Sequence, residues 1–324
     1  MEKMSIIIPT YNEEKNISSC LKSIFNQDYP KNLLQVLVID GNSKDKTVEI
    51  AKSLGAEVHI TNFPNEDLKR HFAIMKLAKG NIIGLIDADN RIPENKNWLK
   101  KMMLPFKEKS IIGVDTLFYS FNDNDNIITK YCALIGGDDP FASYLGINDR
   151  LCFFNGKWTG MPHKEIDKKD YIVTILEKNK IPTIGSNGFF FRKSVFFKIK
   201  NDPFIHTDII YHLVNKGYNK FAKVKQGFTH IQKPSLLGFF KKKIRRMKRR
   251  ISGEVKLDYN YDFSKKQLIK TGLYIATVIL PIIDAIKGYK RKPSIAWILH
   301  PFISLALLFI YAFYSLKEIN IKYK

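Results

Sequence analysis

Apolar residues in the N-terminal third of the chain form short runs that are separated by stretches with helical spacing. The runs lie at residues 4–8, 35–39, 57–60 and 82–86. Their length and their content of Ile, Leu and Val predict buried strands. Between the first two runs, apolar residues recur at the spacing of an amphipathic helix, at Ile17, Leu21, Ile24 and Phe25. Alternation of this kind predicts βαβ units and an α/β fold with a mostly parallel sheet.

Polar residues follow three of these runs, at the point where each predicted strand ends. They are Thr10, Asn12, Asp40, Asp87 and Asp89. The carboxyl ends of parallel strands share one edge of a sheet, so these side chains should line one cleft. Two carboxylates separated only by Ala88 repel unless a cation or donors hold them, and hard oxygen ligands suit Mg²⁺ or Mn²⁺. A solvated Asp-rich turn is the alternative.

Three segments resemble the signature stretches of the family 2 glycosyltransferases, which are inverting enzymes of the GT-A fold. The segments lie at residues 5–14, 38–47 and 87–89, in the order and spacing of that family. The resemblance covers roughly the first 230 residues. It implies a Rossmann-like nucleotide-diphospho-sugar transferase domain, and it implies sugar transfer from a nucleotide donor of the UDP or GDP type to a hydroxyl acceptor.

The resemblance also implies roles for individual residues at the donor site. The residues implied to bind the donor are Pro9, Thr10, Tyr11, Glu13, Asp40, Arg70, Asp87 and Ala88. The strand end at residues 9–11 and Asp40 would hold the nucleoside base, with Glu13 beside them. Arg70 would contact the donor phosphates and Asp87 would approach the ribose. Asp89 would bind the Mg²⁺ or Mn²⁺ ion that bridges the diphosphate.

Two positions depart from the family pattern. Gly41 stands where many relatives have a second Asp, and His71 replaces a common Asn. Both positions flank the predicted nucleotide cleft. The departures therefore leave the identity of the base open and bear less on the reaction.

A catalytic base is predicted at the start of a helix in the second half of the chain. His206, Thr207 and Asp208 open an apolar helical pattern that Gly217 ends. The resemblance implies that Asp208 deprotonates the acceptor, although Thr-Asp stands here in place of the common Glu-Asp. An acid stabilised by the helix dipole is the alternative. His230 follows the last predicted strand and is a candidate metal or phosphate ligand, or else a buried structural histidine.

Residues 116–165 show no sustained periodicity and are predicted to be a long irregular stretch. Such stretches within a compact domain are usually functional or mobile. Two interpretations stay open for this one. It contributes to the acceptor side of the site, or it is an insertion without a role in the reaction.

The chain carries 53 Lys and Arg against 31 Asp and Glu, a formal net charge of +22, which indicates polyanionic partners. Eight of the ten residues at 241–250 are basic, and apolar residues interleave with them at helical spacing. This pattern predicts an amphipathic helix on anionic membrane lipids. No nucleic-acid-binding motif accompanies it, so we expect no nucleic acid partner. The three cysteines form no CxxC pair, which argues against a disulfide framework or a zinc site.

Two apolar segments follow the basic stretch, at residues 271–286 and 294–316. The second is long enough to cross a bilayer as a helix, whereas the first is short and contains Pro281 and Asp284. If both spanned, the basic connection at 287–292 would lie opposite the catalytic domain, against the positive-inside rule. The first segment is therefore predicted to be re-entrant or interfacial. Core helices of a soluble protein are the alternative.

The sequence thus predicts three parts. Residues 1–232 would form the GT-A catalytic domain, 233–266 a basic juxtamembrane segment, and 267–324 C-terminal membrane-anchoring helices. The predicted protein is a transferase at the cytoplasmic face of the cell membrane that acts on a lipid-linked or glycan acceptor. Rival hypotheses are a sugar nucleotidyltransferase, which would need a basic glycine-rich loop after the first strand, and a non-catalytic membrane- or polyanion-binding protein.

Overall fold

A computed structural model describes residues 1–185, 187–199, 205–252, 257–261 and 263–322. The chain divides into two compact units. The first comprises Met1–Phe118 and Met161–His230, and the second comprises Tyr119–Gly160 and Ile231–Lys324. Residues 119–160 thus group with the C-terminal segments in the second unit. The division into a catalytic domain, a juxtamembrane segment and an anchor stays a prediction.

The first unit is built on a nine-stranded sheet with a small two-stranded sheet beside it. The strands in chain order are β1 (Met4–Thr10), β2 (Leu34–Asp40), β3 (Glu57–Ile60), β4 (Ile82–Leu85), β5 (Asn90–Arg91), β6 (Gly113–Thr116), β7 (His163–Asp167), β8 (Tyr171–Leu176), β9 (Phe189–Arg192), β10 (Lys220–Val224) and β11 (Thr229–His230). The large sheet has the order β3-β2-β1-β4-β9-β6-β10-β8-β7, and β11 pairs with β5 in the small one.

The N-terminal part of the large sheet is parallel, as the apolar runs predicted. Strands β3, β2, β1 and β4 run in the same direction, and their register places Thr10 opposite Asp40. Strand β9 lies antiparallel between β4 and β6, and β7 and β8 add an antiparallel edge next to β10. The predicted α/β class is confirmed, and its parallel part is the part that carries the acidic strand ends.

Helices connect these strands and form the second unit. In chain order they are α1 (Ile17–Phe25), α2 (Thr47–Ser53), α3 (Glu66–Phe72), α4 (Trp98–Met103), α5 (Ile127–Leu134), α6 (Pro140–Tyr144), α7 (Lys193–Phe196), α8 (His206–Asn215), α9 (Leu236–Ile251), α10 (Lys265–Ala276), α11 (Ile279–Arg291) and α12 (Leu299–Lys322). Shorter 3₁₀ segments lie at Lys31–Leu33, Leu104–Lys107 and Ile295–Ile298, and a π-helical turn at Ala73–Leu77 follows α3.

The core of the first unit places β9 beside β4 through aromatic packing. A Cβ atom on Gly84 would lie 2.5 Å from the ring of Phe190, so the absence of a side chain makes room for that ring. Gly113 makes room for Phe189 in the same way. Phe190 also packs edge-on against Trp98. Truncating a buried Phe of this kind costs about 3–5 kcal/mol, so β9 is held firmly next to β4, the strand that precedes the acidic pair.

The second unit contains two helices that the sequence did not predict. Asn126 caps the start of α5, since its side chain accepts hydrogen bonds from the backbone N–H groups of Ile128 and Thr129. Asp139 caps α6 by accepting from the Phe141 N–H. These helices have eight and five residues, too few to give a clear periodic signal. Their apolar residues pack with the C-terminal segments in one core, whose members include Ile128, Tyr131, Leu134, Phe154, Phe239, Trp297, Ile303 and Leu307.

The described part of the chain contains one helix that could cross a membrane by length and composition, Ile295–Leu316, with a mean hydropathy of 2.0. Helices α10 and α11 pass the same test only as a pair, and they are bent by 81° at the break between them. Val278 at that break has a φ of 58°, which is strained for a β-branched residue. The apolar segment at 271–286 therefore forms a bent pair and not a straight span.

Candidate active site

The loops after β1 and β2 are joined by hydrogen bonds and form one wall. The Asn12 N–H donates to Ser43 Oγ at 2.8 Å, and the Lys44 N–H donates back to Asn12 Oδ1 at 2.9 Å. The Glu13 N–H donates to Thr47 Oγ1 at 2.7 Å. Asn12 holds these loops together with a φ of 54° and does not cap α1. Glu13 and Tyr11 are thereby fixed next to the loop that follows Asp40.

Asp40 lies at the centre of this wall and is fully buried. Its Oδ1 accepts from Thr10 Oγ1 at 3.0 Å and from Ser43 Oγ at 2.6 Å, while its Oδ2 accepts from the Ser43 N–H at 2.7 Å. The carboxylate therefore ties the end of β1 to the turn after β2. Its predicted contact with a nucleoside base remains a prediction.

Lys69 on α3 reaches the same place, and the sequence pattern did not single it out. Its Nζ donates to the Thr10 carbonyl at 2.7 Å, and the residue is only 3% exposed. Burial lowers the pKa of Lys69, and the negative charges of Asp40 and Glu66 act against that decrease. The sequence did carry a signal for Lys69 as a site residue, because it directly precedes Arg70 on the helix before β4.

Arg70 binds the first acid of the Asp87-Ala88-Asp89 motif. Its Nη2 donates to Asp87 Oδ1 and its Nη1 donates to Asp67 Oδ1 at 3.0 Å. Burial acts to lower the pKa of Arg70, but Asp87, Asp67 and Glu66 raise it above its ordinary value, so the guanidinium stays charged. Burial also raises the pKa of Glu66. In this structure Arg70 holds Asp87 in place.

Asp87 and Asp89 lie in a tight turn and not on an extended strand, because β4 ends at Leu85. The Asn90 N–H donates to the Asp87 carbonyl at 2.9 Å, and Asn90 Oδ1 accepts from the Asp87 N–H at 2.7 Å. Asn90 Nδ2 donates to Asp89 Oδ1 at 3.2 Å. The buried side chain of Asn90 therefore sets the positions of the two acids. Ala88 between them is buried.

The small sheet brings His230 to Asp89. Strand β11 pairs with β5 so that His230 lies opposite Asn90, and His230 Nε2 is 3.4 Å from Asp89 Oδ2. Asn187, just before β9, lies with its side-chain nitrogen 3.4 Å from His230 Nδ1. The two side chains proposed from the sequence as metal ligands are thus adjacent, and both are partly exposed, at 32% for Asp89 and 17% for His230.

The donor set of this pair fits a divalent cation. A carboxylate oxygen and an imidazole nitrogen both suit Mn²⁺, and the carboxylate suits Mg²⁺. Asn187 can present either amide atom to Nδ1, since the amide orientation is an assignment. An acceptor there would place the imidazole proton on Nδ1, so that Nε2 would carry the lone pair that a metal needs. The described residues hold no group of three or more His, Cys, Asp or Glu side chains that could bind a metal. Other ligands would have to complete the coordination.

Asp208 lies in the first turn of α8 and is 5% exposed. The start of this helix packs beside the end of β4, because His206 and Ile210 line a small apolar cavity together with Leu85. A Cβ atom on Gly185 would lie 2.8 Å from Ile210 Cγ1, so a glycine is needed for this approach. The structure thus places the predicted base in a helix turn that packs near the end of β4, the strand that the acidic pair follows.

The family described as Glycosyl transferase family 2 matches residues 5–197. A dolichyl N-acetyl-alpha-D-glucosaminyl phosphate 3-beta-D-2,3-diacetamido-2,3-dideoxy-beta-D-glucuronosyltransferase of Methanococcus voltae is 35% identical over 135 residues, which are 38% of this chain and 41% of that protein. Poly(ribitol-phosphate) beta-N-acetylglucosaminyltransferase TarS of Staphylococcus aureus is 36% identical over 106 residues, 31% of this chain and 18% of that protein. The matches span less than half the length of either relative.

Among solved structures, the fold is similar to that of mannosyltransferase PcManGT from Pyrobaculum calidifontis, solved in complex with GDP-Man and Mn²⁺. The TM-score is 0.52, the sequence identity is 14%, and the similarity covers 98% of this chain and 87% of that one. At this identity the similarity concerns the fold.

Proposed function

Because this chain belongs to glycosyl transferase family 2, we propose that it transfers a sugar from a nucleotide diphosphate to a hydroxyl acceptor with inversion at the anomeric carbon. The observation that carries the proposal is the Asp89–His230 pair. Asp89 follows β4, which runs parallel to β1 and β2, the two strands that end at Thr10 and Asp40. Open α/β sheets bind ligands at this edge.

The nucleoside part of the donor would lie on the wall formed by the loops after β1 and β2. Tyr11 offers an aromatic surface that is 58% exposed, and Pro9 and Glu13 lie in the same segment. Asp87 would face the ribose. Arg70 would act on the donor phosphates chiefly by holding Asp87, since its guanidinium already binds that carboxylate.

Asp89 and His230 would hold a Mg²⁺ or Mn²⁺ ion together with the donor diphosphate. The ion would supply positive charge that stabilises the leaving diphosphate. The Mn²⁺ and GDP-Man in the solved mannosyltransferase support this assignment, which also gives His230 a role beyond packing.

Asp208 would act as the general base. Its carboxylate would take the proton of the acceptor hydroxyl as the new oxygen–carbon bond forms and the bond from the anomeric carbon to the diphosphate breaks. The products are the glycosylated acceptor and a nucleoside diphosphate. One displacement inverts the configuration and needs no protein nucleophile. The buried position of Asp208 keeps it out of bulk water before the acceptor binds.

The acceptor is proposed to be lipid-linked or a glycan precursor at the cytoplasmic face of the cell membrane. A dolichyl phosphate acceptor in the name of one relative supports this choice. Helix Ile295–Leu316 would anchor the chain, and the bent pair α10 and α11 would form a re-entrant hairpin. Lys265 at the start of α10 and the basic side chains at the end of α11 would then lie on the same, positively charged side.

The basic helix α9 would bind anionic lipids at that surface. Its side chains divide into two groups. Lys243 and Arg246 bind Asp138 at 2.7 and 2.8 Å, whereas Lys241, Arg245 and Lys248 are exposed. The exposed group is the one available to lipid headgroups.

A transfer assay tests the proposed reaction. UDP-, GDP- and dTDP-sugars with a radiolabelled sugar would be incubated with the protein, Mn²⁺ or Mg²⁺, and bacterial or archaeal lipid extracts. We expect label in the lipid or polymer fraction and release of a nucleoside diphosphate for one donor class. Failure of every donor to release a nucleoside diphosphate would contradict the proposal.

A further inference from the structure

Lys69 is a buried cation at the nucleoside end of the cleft. Its ammonium has more hydrogen-bond donors than it has acceptors among the described residues. Lys69 is 3% exposed, and the Thr10 carbonyl is the one acceptor that its ammonium meets among the described residues. An ammonium carries three N–H donors, so two lack a partner within that part of the chain. Buried donors without acceptors are costly, and their presence at a cleft points to a ligand.

The neighbouring glycine leaves room for this ammonium. A Cβ atom on Gly41 would lie 2.4 Å from Lys69 Nζ and 2.9 Å from Lys69 Cε. The Gly41 N–H also donates to the Thr10 carbonyl at 2.9 Å, so the backbone of Gly41 and the Lys69 ammonium share one acceptor. Any side chain at position 41 would displace Lys69 from the end of β1.

The other charged group at this place already has hydrogen-bond partners within the protein. The Asp40 carboxylate is fully buried and accepts hydrogen bonds from Thr10 and Ser43. The ring of Tyr11, in contrast, is largely exposed, with its centroid 5.9 Å from Lys69 Nζ. This end of the cleft therefore combines an aromatic surface with a hydrogen-bond donor.

We propose that Lys69 determines the base specificity of the donor site by donating a hydrogen bond to a carbonyl oxygen of a nucleobase that contacts Tyr11. An ammonium only donates, so it favours uracil or guanine, which carry exocyclic oxygens, over adenine, which carries an exocyclic amine. The inference rests on the proposed function, because it presumes a nucleoside diphosphate donor. Gly41 serves the same role indirectly, since it leaves Lys69 in place.

Calorimetric titrations with UDP, GDP, ADP and inorganic pyrophosphate, each with Mn²⁺, test this role. We expect the protein to prefer UDP or GDP over ADP. Lys69→Met removes the ammonium, and Gly41→Ala displaces it while its charge remains. Both should reduce the preference by about tenfold or more, because a hydrogen bond to a charged group is lost. Pyrophosphate affinity should stay unchanged, and the exposed Lys76→Met serves as the matched control.

The outcomes separate this inference from the function on which it rests. A Lys69→Met protein that keeps the full base preference overturns the inference, and so does an equal loss of pyrophosphate affinity. If Lys69→Met does not fold, the base preference and the pyrophosphate affinity of Gly41→Ala are judged by the same criteria. If the unaltered protein binds no nucleoside diphosphate with either Mn²⁺ or Mg²⁺, the proposed function itself fails.

Discussion

Asp208 is the residue on which the proposed transfer step depends. Asp208→Asn keeps the shape of the side chain and removes the proton acceptor. We expect turnover to fall by about 10²–10⁴-fold, while the dissociation constant of the donor changes little. Single-turnover kinetics beside calorimetric donor binding would measure both quantities. Asp28→Asn, at an exposed carboxylate paired with Lys100, is the control, and a normal rate in Asp208→Asn would reject the role.

Several residues at the site were predictable from their own neighbourhood in the sequence. Asp40, Asp87 and Asp89 were found because each follows an apolar run, and the structure places them near the ends of parallel strands. The contact of Asp89 with His230 was not predictable in the same way. It depends on the register of β11 against β5, which two-residue strands do not encode in their own composition. Asn90 was missed because a buried polar side chain looks like an ordinary turn residue.

Helix α9 shows how a charged element divides its charges between packing and solvent. Asp138 meets Lys243, Arg246 and Lys242 from α9, and Asp139 meets Lys243 and Tyr311. The sequence predicted the helix and its basic face. It did not predict that part of this face binds two acids at the start of α6, because the fold of residues 119–160 was not evident.

The ion pairs of Asp138 predict how the amide protection of α9 depends on pH. Burial alone would raise the pKa of Asp138, but Lys243, Arg246 and Lys242 hold it well below its ordinary value of 3.8. A depressed carboxylate pKa stabilises the folded state above the unfolded pKa, and this contribution is lost as the pH falls through the folded pKa. Amide protection of α9 should therefore be the same at pH 7 and pH 5.

Asp138→Asn should reduce that protection at both pH values, by about 2 kcal/mol, because the bonds between charged groups are lost. Hydrogen exchange of the α9 amides is the measurement. The exposed Asp123→Asn is the control. Protection in Asp138→Asn equal to that of the unaltered protein would contradict the contribution of the cluster.

At the scale of the whole molecule, the second unit changes how membrane association is best tested. A chain cut after Gln232 would remove Trp297, Ile303 and Leu307, against which Ile128 and Tyr131 of the same unit pack. Such a truncation would expose an apolar core. A change in membrane binding could then result from unfolding as well as from loss of an anchor. Substitutions on the exposed face of α9 leave that core intact.

Replacing Lys241, Arg245 and Lys248 by Gln should weaken binding to vesicles that contain anionic lipid. Each basic residue near such a surface contributes about 1 kcal/mol, so the triple variant should bind about 100-fold more weakly at low salt. Vesicle sedimentation at increasing ionic strength measures this effect. A variant that binds anionic vesicles as tightly as the unaltered protein would show that α9 does not contact the headgroups.

The metal-dependent donor site is the central claim, and donor affinity with and without Mn²⁺ tests it most directly. Calorimetry would be run with UDP- and GDP-sugars on the unaltered protein and on Asp89→Ala, with Asp28→Ala as the control. The unaltered protein should bind one donor at least about tenfold more tightly with Mn²⁺, and Asp89→Ala should lose that gain. Donor binding that is independent of Mn²⁺, or a gain that survives in Asp89→Ala, would contradict the assignment.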